Sequence, residues 1–144
     1  MINNIIDQLK RDEGFLAHVY LDKFGYRTIG YGHNLDANPM PGLFYVNEAQ
    51  ATQILGRDVE RISMSLQQKL PWVTTLDDAR HGVLQNMAFN MGVLGLLDFH
   101  HMLSAMVTED WATAKAEGED SKWFSQVGDR AVRLMAQLET GEWQ

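Results

Sequence analysis

Two carboxylates and a hydroxyl stand close together early in the chain: Glu13 in Arg11-Asp12-Glu13-Gly14, Asp22 in Leu21-Asp22-Lys23-Phe24-Gly25, and Thr28 in Tyr26-Arg27-Thr28-Ile29-Gly30-Tyr31-Gly32-His33. Their spacings are nine and six residues, and the residue pattern changes type between them. Brought to one place, such groups suit acid/base chemistry on a water molecule. Glu13 falls where a helix should end, and the negative end of a helix dipole favours the protonated carboxyl that a general acid needs. Each residue also has a plain reading. Glu13 alone is an ordinary surface acid, and Asp22 as the first residue of a turn is an ordinary backbone cap. Strand alternation would put Thr28, Gly30 and Gly32 on one face, nearly bare of side chains. That face suits close approach of a ligand, and equally a bulge or tight internal packing.

The elements that must position these residues follow from periodicity. Ile2, Ile5, Ile6 and Leu9 recur at helical spacing, with Gly14 placed for a left-handed cap. From Ala17 to His33 the residues favour strands around the turn Asp22-Lys23-Phe24-Gly25, so a hairpin is expected. Asp36 to Gly42, with Pro39 and Pro41, reads as a loop. Asn47 is placed as an N-cap for a long helix whose stripe is Ala51, Ile54, Leu55, Val59, Ile62 and Leu66. Beyond Pro71 and Trp72 the pattern predicts four helices. One carries Ala79, Val83, Leu84, Met87, Ala88 and Met91 and is ended by Gly92 and Gly95; another carries Phe99, Leu103 and Met106. Trp111 to Ala116 makes a third, and Ala131, Leu134, Met135 and Leu138 a last one stopped by Gly141. The fold class expected is α+β, one bilobed domain over 1–144: a β lobe at about 14–46, a linking helix at about 47–67, and a helical lobe from 1–13 plus 68–144.

Composition narrows the function. With 45% apolar and 22% charged residues, 144 residues can bury one sizeable core. Twelve Lys and Arg against a net charge of −7 argue against nucleic acid, which needs clustered cations. No run approaches the roughly 18 apolar residues of a membrane span. The N-terminus lacks the pattern of a signal peptide, so the expectation is a chain that carries no export signal of its own. The absence of cysteine excludes disulfides and thiolate metal sites and fits synthesis in a reducing cytosol.

Residues 11 to 33 resemble the catalytic signature of the bacteriophage T-even type lysozymes, glycoside hydrolase family 24. Leu84 to Gly92, Ser121-Lys122-Trp123-Phe124, Arg130-Ala131-Val132-Arg133 and Thr140-Gly141-Glu142-Trp143 resemble later family blocks in the same order. The resemblance implies a lysozyme-like fold, a small β-hairpin lobe and a larger helical lobe joined by a long helix. It also implies hydrolysis of the β-1,4 bond between N-acetylmuramic acid and N-acetylglucosamine in peptidoglycan, by inversion, with no cofactor and no metal. Glu13 would be the general acid, and Asp22 and Thr28 would hold the attacking water, Asp22 also stabilising charge on the sugar. Gly32, Asn34, Phe89 and Met102 would bind substrate, although Met102, like Glu117, stands where the family often has another residue type. Arg130 would orient Glu13 while drawing its ionisation opposite to the helix dipole, so the net direction stays open. His33 and Asp58 match a pair expected to form a structural salt bridge.

Two departures stand out. The stretch between His33 and Asn47 is shorter than in the family, and the chain is acidic where many lysozymes are basic. The expected setting is an endolysin, a monomer held in the host cytoplasm until a holin-type partner opens the membrane, then acting on peptidoglycan glycan strands in the periplasm without stable membrane association. The alternatives are a non-catalytic wall-binding module of the same fold, and a helical interaction module with no sugar ligand.

Overall fold

Helix α1 (Ile5–Glu13) stops where Gly14 takes φ +70° and donates its N–H to the Lys10 carbonyl at 3.0 Å. This left-handed cap makes Glu13 the last helical residue, as the pattern predicts. In the computed structural model, which describes residues 1–144, the chain divides into two compact units, Ile6–Arg61 and Met1–Ile5 with Ile62–Gln144. All but the first residue of α1 therefore groups with the sheet, where the sequence pattern assigned it to the helices.

Within Ile6–Arg61, strands β1 (Leu16–Leu21), β2 (Arg27–Gly30) and β3 (His33–Asn34) form an antiparallel sheet in the order β1-β2-β3. The first turn is the one expected. Asp22 donates N–H to the Tyr26 carbonyl at 3.0 Å, Gly25 donates to the Asp22 carbonyl at 2.9 Å, and Gly25 takes φ +84°. That is a three-residue hairpin loop closed by a left-handed glycine. The continuous bare strand from Thr28 to His33 is not formed. The chain reverses after β2, with Gly30 at φ +67° and Gly32 at φ +70°, so that Ile29 pairs with His33 and Thr28 with Asn34. The two glycines serve the backbone conformation, at no steric cost, and also close packing: a Cβ on Gly30 would lie 3.2 Å from the Ala51 Cβ. Buried Leu9, Ile29, Tyr31, Leu35, Val46, Ala51, Ile54 and Leu55 make up the apolar interior of this unit.

Helix α2 (Glu48–Lys69) begins at the expected cap. Asn47 Oδ1 accepts the Gln50 N–H at 2.8 Å while Gln50 Oε1 accepts the Asn47 N–H at 3.0 Å, a reciprocal capping pair. Leu66 lies near its C-terminal end, in the second unit.

In that second unit a 3-10 turn (Pro71–Thr75) precedes α3 (Asp78–Met91), α4 (Val93–Leu97), α5 (His100–Val107), α6 (Trp111–Glu119), α7 (Lys122–Val127) and α8 (Asp129–Thr140). Four helices were expected and six are present. α4 and α7 span five and six residues, too short for a 3.6-residue period to register, and Gly95 lies inside α4 rather than ending α3. Val83, Leu84, Met87, Leu96, Met102, Met106, Leu134, Met135 and Leu138 lie in one buried core. Arg80 links α3 to the end of α8. It donates from Nε to the Leu138 carbonyl and from an Nη to the Glu139 carbonyl, both at 2.7 Å, with its guanidinium 3.9 Å from the Trp111 ring centre. No helix is long and apolar enough to cross a membrane.

Candidate active site

Glu13 is held by the turn that replaced the expected strand. A Cβ built on Gly32 would stand 2.6 Å from Glu13 Oε1 and 3.0 Å from its Cδ, so the carboxyl occupies the space a side chain at 32 would need. Only glycine satisfies both that contact and the φ of +70°. Gly32 therefore sits against the acid itself.

Asp22 serves its own turn with one oxygen. Oδ1 accepts the N–H groups of Phe24 and Tyr26, each at 2.9 Å, and Oδ2 accepts neither of them. Thr28 is buried at 4% exposure and donates its hydroxyl to the Tyr26 carbonyl at 2.9 Å, which leaves its oxygen free to accept. Tyr20 pairs with Thr28 across β1 and β2, and the same register places Asp22 opposite Tyr26. Strand alternation then puts Tyr20, Asp22, Tyr26 and Thr28 on one face of the sheet. Tyr20 connects the two carboxylates electrostatically. Burial, then the negative charges of Glu13 and Asp22, raise its phenol above the ordinary tyrosine value, so the hydroxyl keeps its proton. Tyr20 was not singled out from the sequence; its position two residues before Asp22 in a strand was the available signal.

Asn34 lies opposite Thr28 on the same face, with its side-chain oxygen taken by the N–H groups of Asp36 at 2.9 Å and Ala37 at 3.0 Å. On the neighbouring strand position His33 is buried and bonded at both ring nitrogens, Nδ1 to Asp58 Oδ2 at 2.7 Å and Nε2 to the Asn38 carbonyl at 2.9 Å. A carbonyl only accepts, so Nε2 carries a proton, and the Asp58 carboxylate takes the other. Arg61 adds a bond to Asp58 Oδ1 at 2.9 Å. The expected structural pair is thus present. Burial, and more weakly the Arg61 charge, lower the His33 pKa, but Asp58 and the Asn38 carbonyl outweigh them, and the net shift is upward.

The remaining predicted residues lie in the second unit. Phe89 is half-buried on α3, and Arg130 on α8 donates Nε to the buried Asn86 at 2.9 Å. Met102 does not fit a substrate-binding role. It is 1% exposed, with its sulfur packed beside Gly118 in the helical core, and a side chain without accessible surface cannot touch a sugar. Its apolar character, atypical for the position, is that of a core residue. No group of three or more His, Asp or Glu residues is arranged to hold a metal ion.

Residues 10–137 match the family model described as phage lysozyme. The chain belongs to the phage lysozyme family. Among the relatives of this family member, the pre-baseplate central spike protein Gp5 of Enterobacteria phage T4 is 32% identical over 161 residues, covering 96% of this chain and 28% of that protein. Probable T4-type lysozyme 1 of Dictyostelium discoideum is 28% identical, with 98% and 96% of the two chains covered. The peptidoglycan hydrolase gp36 of Pseudomonas phage phiKMV is 25% identical over 91% of this chain and 14% of its own length. This lysozyme chain thus matches nearly the whole of one relative and a small part of two others.

Proposed function

We propose that the chain is a peptidoglycan-hydrolysing lysozyme that cleaves the β-1,4 bond between N-acetylmuramic acid and N-acetylglucosamine with inversion. One observation carries this reading: a carboxyl seated on Gly32, electrostatically linked through Tyr20 to a second carboxylate that shares a sheet face with Thr28. Glu13 protonates the leaving oxygen. The Thr28 hydroxyl gives its own proton to the Tyr26 carbonyl, so it acts on the attacking water as an acceptor. Asp22 Oδ2 accepts the other proton of that water and takes it as the bond forms. Both hydrogens of the water are then held, and a lone pair points to the sugar, the arrangement of an inverting glycosidase. An ionised Asp22 also offsets positive charge developing on the ring.

Asn34 borders the same face, and its side-chain amide is the group left to meet a sugar. Phe89 and Arg130 keep the roles that the family resemblance implies. The setting we infer is an endolysin that accumulates as a monomer in the host cytoplasm, reaches the wall after a holin-type partner opens the membrane, and causes lysis. The match to 28% of a spike protein supports a second setting, in which a chain like this one is the wall-cleaving part of a larger particle protein. The test is clearing of a peptidoglycan suspension by the wild type and by Glu13→Gln. Loss of the general acid should slow clearing by at least about 100-fold. Binding of walls without any cleavage by the wild type would leave only a wall-binding module, and equal cleavage by Glu13→Gln would remove Glu13 from its role. NMR of the newly released anomer decides inversion.

A further inference from the structure

Tyr26 is a large aromatic residue left 49% exposed on the face that carries Asp22, Tyr20 and Thr28. Its backbone is unusually well fixed for a residue at a hairpin end. The N–H is bonded to Asp22 Oδ1 at 2.9 Å, and the carbonyl accepts both the Asp22 N–H at 3.0 Å and the Thr28 hydroxyl at 2.9 Å. The two groups that would hold the attacking water are therefore bonded to the backbone of one residue, which shares their face of the sheet.

The geometry points to Tyr26 as a sugar-stacking residue: its ring takes the apolar face of a pyranose of the glycan strand and holds that sugar on the sheet face of Asp22 and Thr28. This rests on the glycosidase reading above. Aromatic side chains suit the task because they offer a broad apolar face at low conformational cost, and the tyrosine hydroxyl remains in water. Because Asp22 and Thr28 grip the Tyr26 backbone, the sugar-binding residue is anchored to the water-holding pair, and its ring adds binding that ground state and transition state share. The neighbouring Phe24 is also exposed, at 69%, but one side of its ring faces the Lys23 ammonium at 5.1 Å. Leu21 provides a built-in comparison. It is 67% exposed at the same end of the hairpin, yet it pairs with Arg27 and so lies on the opposite face.

The experiment compares Tyr26→Ala, Tyr26→Trp and Leu21→Ala for kcat and KM on peptidoglycan, with thermal unfolding as the control for folding. Binding of a soluble N-acetylglucosamine–N-acetylmuramic acid hexasaccharide is measured in parallel on Glu13→Gln with and without Tyr26→Ala. We expect Tyr26→Ala to raise KM and weaken hexasaccharide binding roughly 5- to 10-fold, the weight of one aromatic contact, with kcat within about two-fold. Tyr26→Trp should restore both, and Leu21→Ala should change neither. Equal losses for Leu21→Ala and Tyr26→Ala, or unchanged KM and binding in Tyr26→Ala, would overturn the proposal while leaving the glycosidase reading intact. An inactive wild type would remove the reading on which it rests.

Discussion

Gly32→Ala isolates the contact that seats Glu13, the proposed general acid. The added Cβ meets Glu13 Oε1 at 2.6 Å, and ordinary contact begins at 3.4 Å, so the carboxyl must retreat by about 0.8 Å. Displacements of about 1 Å in a positioned group can cost around 100-fold in rate. The substitution also places an L side chain at φ +70°, worth about 1–2 kcal/mol of stability. Gly42→Ala separates the two effects, because Gly42 has φ +81° and nothing within 4 Å of its would-be Cβ. Both variants should lose comparable stability in thermal unfolding, and only Gly32→Ala should lose wall-clearing activity, by about 30- to 100-fold in kcat/KM. Were Gly32→Ala to clear walls as fast as Gly42→Ala, the position of the Glu13 carboxyl against this turn would not matter to the reaction, and the site as described would be wrong.

The His33–Asp58 pair should make stability depend on pH. The folded-state pKa of His33 is raised, so its contribution is complete below the ordinary histidine value of 6.5 and fades as pH rises through the higher folded value. Melting temperatures across that range should fall for the wild type and stay flatter for His33→Gln. Removing one partner of a buried pair should cost about 3–5 kcal/mol at pH 5. Arg80→Ala removes two charged hydrogen bonds to the last carbonyls of α8 and the contact with Trp111. Chemical denaturation should show a loss of roughly 2–4 kcal/mol, with activity per folded molecule unchanged.

Much of this was legible along the chain because it is local. The cap at Gly14, the turn from Asp22 to Gly25 and the Asn47 cap each depend on a few adjacent residues, and all three formed as their sequences predict. The stretch from Thr28 to His33 misled because alternation and a glycine turn share one spelling. Glycine at every second position fits a bare strand face as well as a reversal through two left-handed residues. Helices α4 and α7 were missed because fewer than two turns give no period. Met102 went to the core because burial depends on which helices pack around it, and no motif reports that.

Residue identity by itself determined the chemistry on offer: two carboxylates and a hydroxyl in an order that a known family uses, on a helix end, a turn and a strand. What only the tertiary structure decided is how each group is constrained. The Glu13 carboxyl fills the place of a missing side chain at Gly32, Asp22 gives one oxygen to the N–H groups of its turn, and the Thr28 hydroxyl proton is taken by the Tyr26 carbonyl. The reason is physical. Side-chain type fixes which protons can be given and taken, whereas direction and distance arise from contacts between residues far apart along the chain, 19 positions for Glu13 and Gly32, which no local pattern encodes.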